Sequence, residues 1–180
     1  VSAVSSGSGS EHVTVGIKQP QSTQELCRAR KMPEGFSTQA VLVSAKQNAV
    51  SGHDAVLLDT GIELAAYQPL RITASGKWFA EANGQAGAGP DGLANRAELS
   101  FQGLRAKYGT LVARIESGPF FVVGSSFFSC ASAAGRLYLG FWDDSSRDNS
   151  GSVRVTVEYV ASNGLTGRQA EMDAVTYLSA

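Results

Sequence analysis

The chain has 180 residues, 43% of them hydrophobic, which suffices for one domain with its own core and is too apolar for wholesale disorder. Fifteen basic and sixteen acidic residues leave a formal net charge of -1 and lie scattered, so there is no basic footprint for nucleic acid. No apolar run reaches the roughly 18 residues of a spanning helix, which excludes a helical membrane span.

Charged residues make up only 17% while glycine reaches 20 residues, a balance that favours a turn-rich β protein. The chain opens at Val1 rather than Met, and removal of an export signal, or trimming, is the expected reason. Val1 to Ser10 are Ser, Gly, Ala and Val, the composition of a flexible lead-in. Val13 to Ile17 alternates loosely and reads as a strand. From Gln19 to Phe36 the chain turns polar around Pro20 and Pro33, with a short helical turn predicted near Gln24 to Arg30.

Regular strands are predicted from about Ala40 onward. Ala40 to Ser44, Leu70 to Ser75, Thr110 to Ile115, Phe120 to Val123, Arg136 to Trp142 and Ser152 to Val160 form the series. Alternation is strict from Val153 to Tyr159, so one face there should be buried and the other wet. Glycines fall between the runs, where turns need them. Many short strands with no competing helical period predict an all-β, jelly-roll-like antiparallel β-sandwich. Residues 1–39 are assigned to an N-terminal extension, 40–161 to the sandwich and 162–180 to a tail, read as a short helix or an added strand. Adjacent pairs Phe120–Phe121 and Phe127–Phe128 suggest one outward ring each, together an interface patch.

Cys27 and Cys130 allow a single disulfide, and their separation rules out a local metal knuckle or a Cys-x-x-Cys redox motif. Two readings stand: a bond tying the N-terminal segment to the main body, or two buried thiols. His12 and His53 are too few and too distant for zinc, and nothing marks a serine as a nucleophile. The chain is therefore read as a binding or structural protein, not an enzyme.

The segment Arg136 to Glu158 draws the functional reading. Two strand-like runs flank a loop holding Asp143, Asp144, Asp148 and Asn149. Such a loop offers hard oxygen atoms to one point, and calcium takes six to eight of these in flexible geometry. Without a cation the three carboxylates would repel one another. A solvated hairpin turn is the plainer alternative, since Asp, Asn, Ser and Gly are turn residues. The spacing is not that of an EF-hand.

From about Leu58 to Glu158 the chain resembles the PA-I type galactophilic lectins of bacteria. The resemblance rests on an ordered series: Asp59-Thr-Gly-Ile-Glu-Leu64, Leu70 to Trp78, Gly89-Pro-Asp-Gly92, Gly109 to Ile115, Pro119 to Gly124, Gly135 to Gly140 and Asp148-Asn-Ser-Gly-Ser152. It implies a small jelly-roll sandwich holding calcium in its last loop, with sugar hydroxyls completing the metal's shell. By that resemblance Asp143 is a metal ligand that also touches sugar, and Asp148 and Asn149 are metal ligands. Asp144 lies nearby, and backbone carbonyls from 145–146 and near Glu81 complete the shell. Trp142 and Arg96 join Asp143, Asp144 and Asp148 as candidate sugar contacts. The loop is shorter than in the galactose-binding type member, and no His follows the Gly-Pro-Asp-Gly turn, with Arg96 and Leu99 near the matching positions. These departures point away from galactose.

The expected function is calcium-dependent glycan binding or adhesion by an exported, extracellular or cell-surface bacterial protein, with a homo-oligomer or polymer raising avidity. The competing expectation is a structural subunit of an extracellular filament or surface assembly. There Val13 to Ile17 would pair with a neighbour's sheet edge and calcium would only staple the loop.

Overall fold

A computed structural model describes residues 22–51, 54–80 and 87–161. The expected strand at Val13 to Ile17, His12, His53, Glu81 and the tail from Ser162 lie outside the described residues. One short helix, α1 (Thr23–Arg28), comes first, close to where the sequence places it. Ser22 caps it: its hydroxyl accepts from the Glu25 N–H at 3.2 Å while the Glu25 carboxylate accepts from the Ser22 N–H at 3.0 Å.

Strands then follow in close succession. They begin with β1 (Ser37–Ser44), β2 (Ala49–Ser51), β3 (Asp54–Ala55), β4 (Leu58–Leu64), β5 (Pro69–Phe79) and β6 (Gly87–Ala88). After these come β7 (Glu98–Phe101), β8 (Leu104–Lys107), β9 (Leu111–Ile115) and β10 (Phe121–Val122). The last three are β11 (Ser126–Cys130), β12 (Gly135–Trp142) and β13 (Ser150–Tyr159). One sheet runs β1-β13-β5-β11, with β6 added beside β5. The other runs β10-β9-β12-β2-β3, with β4 also beside β12. All pairings are antiparallel except β2 on β12, which is parallel over two residues.

The expected all-β sandwich is therefore present. Its core lies between the two sheets, where Val43, Ile72 and Val155 of the first meet Leu111, Leu139 and Phe141 of the second, all fully buried. Strict alternation in β13 does what its period requires. Val153, Val155 and Val157 have no exposure, while Arg154 between them is exposed. Burying each such side chain stabilises the fold by about 1.5–3 kcal/mol.

A small hairpin absent from the sequence prediction covers the outer face of the second sheet. β7 and β8 pair around Gln102 and Gly103, whose φ values of 49° and 78° define a type I′ turn. Leu99, Phe101, Leu104 and Ala106 alternate along it and pack on Val112, Phe120 and Trp142. The four phenylalanines do not form one patch, contrary to expectation. Phe120 lies under this hairpin against Trp142, Phe121 packs on Phe127 with centroids 5.0 Å apart, and Phe128 lies under Arg30 and Arg71.

Of the two readings for the cysteines, the structure has the bond. Cys27 and Cys130 are joined, with Cα atoms 5.8 Å apart, and the link fixes α1 to β11 across 103 residues of sequence. Arg71 reinforces the attachment by donating to the Arg30 carbonyl at 3.2 Å and to Glu158 at 2.7 Å. Cross-linking so long a loop restricts the unfolded chain strongly. Replacing both cysteines by alanine should lower unfolding free energy by about 2–4 kcal/mol, measured by urea denaturation of both proteins.

Candidate functional site

The site lies at the end of the sandwich where β12 finishes and β13 begins. These two strands belong to different sheets, so residues 143–149 bridge the layers. At either end of this loop a polar side chain is driven inward. Asp143 and Asn149 are each only 2% exposed. Asn149 is oriented by its amide nitrogen, which donates to the carbonyls of Ser145 at 2.9 Å and Ala45 at 3.2 Å. Ala45 is itself tied to β13 by its N–H on the Gly151 carbonyl at 3.1 Å. Asp143 closes a local turn, accepting the Ser145 N–H on Oδ1 at 3.2 Å.

These contacts leave two acceptors without donors. Asp143 Oδ2 and Asn149 Oδ1 are both buried and accept no hydrogen bond. A buried unpaired acceptor costs about 1–3 kcal/mol, more when charged. The cost is visible in the acidity of Asp143. Burial pushes its carboxyl up to about 6, with Asp144 beside it adding to the rise, while the Ser145 N–H and the Asn149 amide work the other way.

Asp144 also has a partner outside the loop. It is exposed, and its Oδ1 accepts from the Tyr108 hydroxyl at 2.7 Å. Burial, then this hydrogen bond, push the Tyr108 hydroxyl well above its usual range, so it stays a donor. Arg96 lies over the Tyr108 ring, 5.5 Å from its centroid, and so joins the rim of the site. Tyr108 was not anticipated from sequence. Its position is set by the Gly89-Pro-Asp-Gly92 turn: the Leu93 N–H donates to the Tyr108 carbonyl at 2.7 Å. Gly92 has a φ of +81°, and a Cβ there would lie 2.5 Å from Thr110 Oγ1 and 2.7 Å from the Tyr108 carbonyl. Only glycine fits that approach without displacing the segment.

Both tryptophans are structural. Trp78 is fully buried and donates its Nε1 to the Gly109 carbonyl at 2.8 Å. Trp142 corrects the expectation of a sugar contact. It too is fully buried, with Phe101 stacked on one face at 3.8 Å and Nε1 donating to the Leu99 carbonyl at 3.3 Å. The hairpin occupies the surface that a sugar ring would need. Asp148 is exposed, next in sequence to the buried Asn149.

Among the described residues no three of His, Cys, Asp and Glu come together as a metal cluster. A cation here would instead meet one carboxylate, one amide oxygen and backbone carbonyls. That all-oxygen set suits calcium rather than zinc. The two donor-less buried oxygens fit such an ion, because a cation satisfies acceptors that no N–H reaches.

No protein-family model matches the chain, and no curated protein does. Among solved structures the chain is similar to the EclA N-terminal domain, a PllA-like lectin, at 27% identity and a TM-score of 0.53. That likeness covers 69% of this chain and 98% of that one. The fold is lectin-like. The likeness extends over nearly the whole of the lectin domain, so the sandwich rather than a fragment of it is shared.

Metal-free protein should show the Asp143 carboxyl in its stability. Folding raises this pKa from 3.8 to about 6, so the folded state holds the proton more tightly. The resulting stabilisation is full below the unfolded value and is lost as pH rises through about 6. Comparing Tm at about pH 5 and about pH 7.5, the wild type should lose more stability relative to Asp143→Asn at the higher value. Equal pH dependence in both proteins would contradict the assignment.

Proposed function

We propose that this domain is an exported, non-catalytic module that binds carbohydrate through calcium held by the 143–149 loop. The observation that carries the reading is the pair of buried, donor-less oxygens on Asp143 and Asn149 in a lectin-like fold. Asp143 and Asn149 would hold the ion, with Asp148 adding charge from the same loop and backbone carbonyls at 145–146 helping to complete its shell. When bound, calcium supplies open coordination positions for two vicinal sugar hydroxyls.

The chain's own groups would do the rest. Asp144, anchored through Oδ1 by Tyr108, presents its other oxygen to accept a sugar hydroxyl. Arg96 lies on the Tyr108 ring at the rim of the site. The Cys27–Cys130 bond supports export, since disulfides persist in oxidising compartments. A single exposed site of this kind binds sugar weakly, and oligomerisation of the chain would raise its avidity.

A glycan array in millimolar calcium, repeated with EDTA, tests the reading. Bound glycans should appear with calcium and vanish with chelator. Asn149→Ala should weaken calcium binding roughly tenfold or more and lose the glycan signal with it, with the fold intact by circular dichroism. Glycan binding that survives EDTA, or silence in both conditions, would contradict the proposal.

A further inference from the structure

Arg114 places a cation on the outer face of the second sheet that no described residue neutralises. In β9 Leu111, Ala113 and Ile115 face the core, so Arg114 faces away from it. There its guanidinium carbon lies 5.4 Å from the centroid of the Phe120 ring and 5.8 Å from that of Tyr138, its cross-strand partner. Both distances are in cation–π range, which favours the charge but supplies no hydrogen-bond acceptor. Its Nε is buried and unpaired, although the residue as a whole is only half-buried. Neither Nη atom is among the buried unpaired atoms and neither makes a hydrogen bond among the described residues, so that end of the guanidinium reaches solvent. Two rings thus hold a planar donor in place and leave it without an acceptor.

Neighbouring carboxylates are already engaged. Asp59 and Glu63 accept from the Arg136 guanidinium at 3.2 and 2.6 Å, and Glu116 accepts from the Arg136 backbone N–H at 2.7 Å. Three acids around one Arg136 leave the surroundings negative, which weakens binding of any anion and of a dianion most. A planar monoanion suits the guanidinium fork better, and a carboxylate is that shape. Val122, 42% exposed on the neighbouring strand, and the Tyr138 ring provide apolar contact for whatever carries it.

We infer that Arg114, held between Phe120 and Tyr138, is a binding site for the carboxylate of an acidic sugar, separate from the Asp143–Asn149 loop. That the carboxylate belongs to a sugar rests on the proposed carbohydrate binding; the anion site itself does not. The test is a nuclear magnetic resonance titration of isotope-labelled chain with sodium glucuronate, with glucose as neutral control and acetate as ring-free control. All are run in EDTA, so that no calcium-dependent site contributes and failure of that site leaves this result unaffected.

Glucuronate should give saturating shifts at the Arg114, Phe120 and Tyr138 amides, and glucose none. Arg114→Met should abolish them, and Arg114→Lys, which keeps the charge without the fork, should weaken binding roughly tenfold. Should the Met variant misfold, the Lys variant and the wild-type titration still decide. No shift up to about 50 mM glucuronate, or equal shifts with glucose, would overturn the inference. Shifts with acetate but not glucuronate would overturn the sugar assignment. Shifts on concentrating the protein alone would also overturn it, and would make the occupant a second copy of the chain.

Discussion

Two oxygen atoms that should not be buried organise this end of the molecule. Asp143 Oδ2 and Asn149 Oδ1 are withdrawn from water with no donor to meet them, in a fold whose other buried polar groups are largely paired. Leaving both acceptors so is unfavourable by about 1–3 kcal/mol each. The surrounding strands are what make it possible. Asp143 follows the buried end of β12 and Asn149 precedes β13, and the registers of those two strands are fixed by fully buried residues such as Leu139, Phe141, Val153 and Val155. A one-residue slip in β13 would turn its three valines to solvent. The sandwich core therefore holds the loop's ends where local preference alone would expose them.

Other parts of the chain serve the same placement. The Asn149 amide is turned by two carbonyls, so its oxygen has one direction left. The Gly92 turn sets Tyr108, Tyr108 sets Asp144, and Arg96 rests on the same ring. Beneath them the β7–β8 hairpin seals Trp142, so that β12 is buried on both faces up to the residue before Asp143. The result is a rigid oxygen pair with a more exposed acid, phenol and guanidinium around it. Such an arrangement is what the proposed calcium and sugar binding requires.

Much of this was legible in the sequence because period-2 patterns survive wherever one face is buried. β13 and β12 were read closely, and so was the short helix near Cys27, which Ser22 and Glu25 cap. The loop itself was legible from composition alone. What composition could not give was which of its acids turn inward. Asp143 is buried while Asp144 and Asp148 are exposed, a division set by strand ends and by Tyr108, 35 residues away in sequence from Asp143. The hairpin was missed although its signal was present, with Leu99, Phe101, Leu104 and Ala106 alternating around Gln102–Gly103. The same hairpin covers Trp142, which its place in sequence beside Asp143 does not show.

Calorimetric titration of metal-stripped protein with calcium shows whether the buried pair of oxygens holds the ion. Saturable binding of one ion per chain is expected, accompanied by a rise in Tm and absent in Asp143→Asn. No heat and no change in Tm at millimolar calcium would contradict it, and would make the loop a turn whose buried oxygens have some other cause.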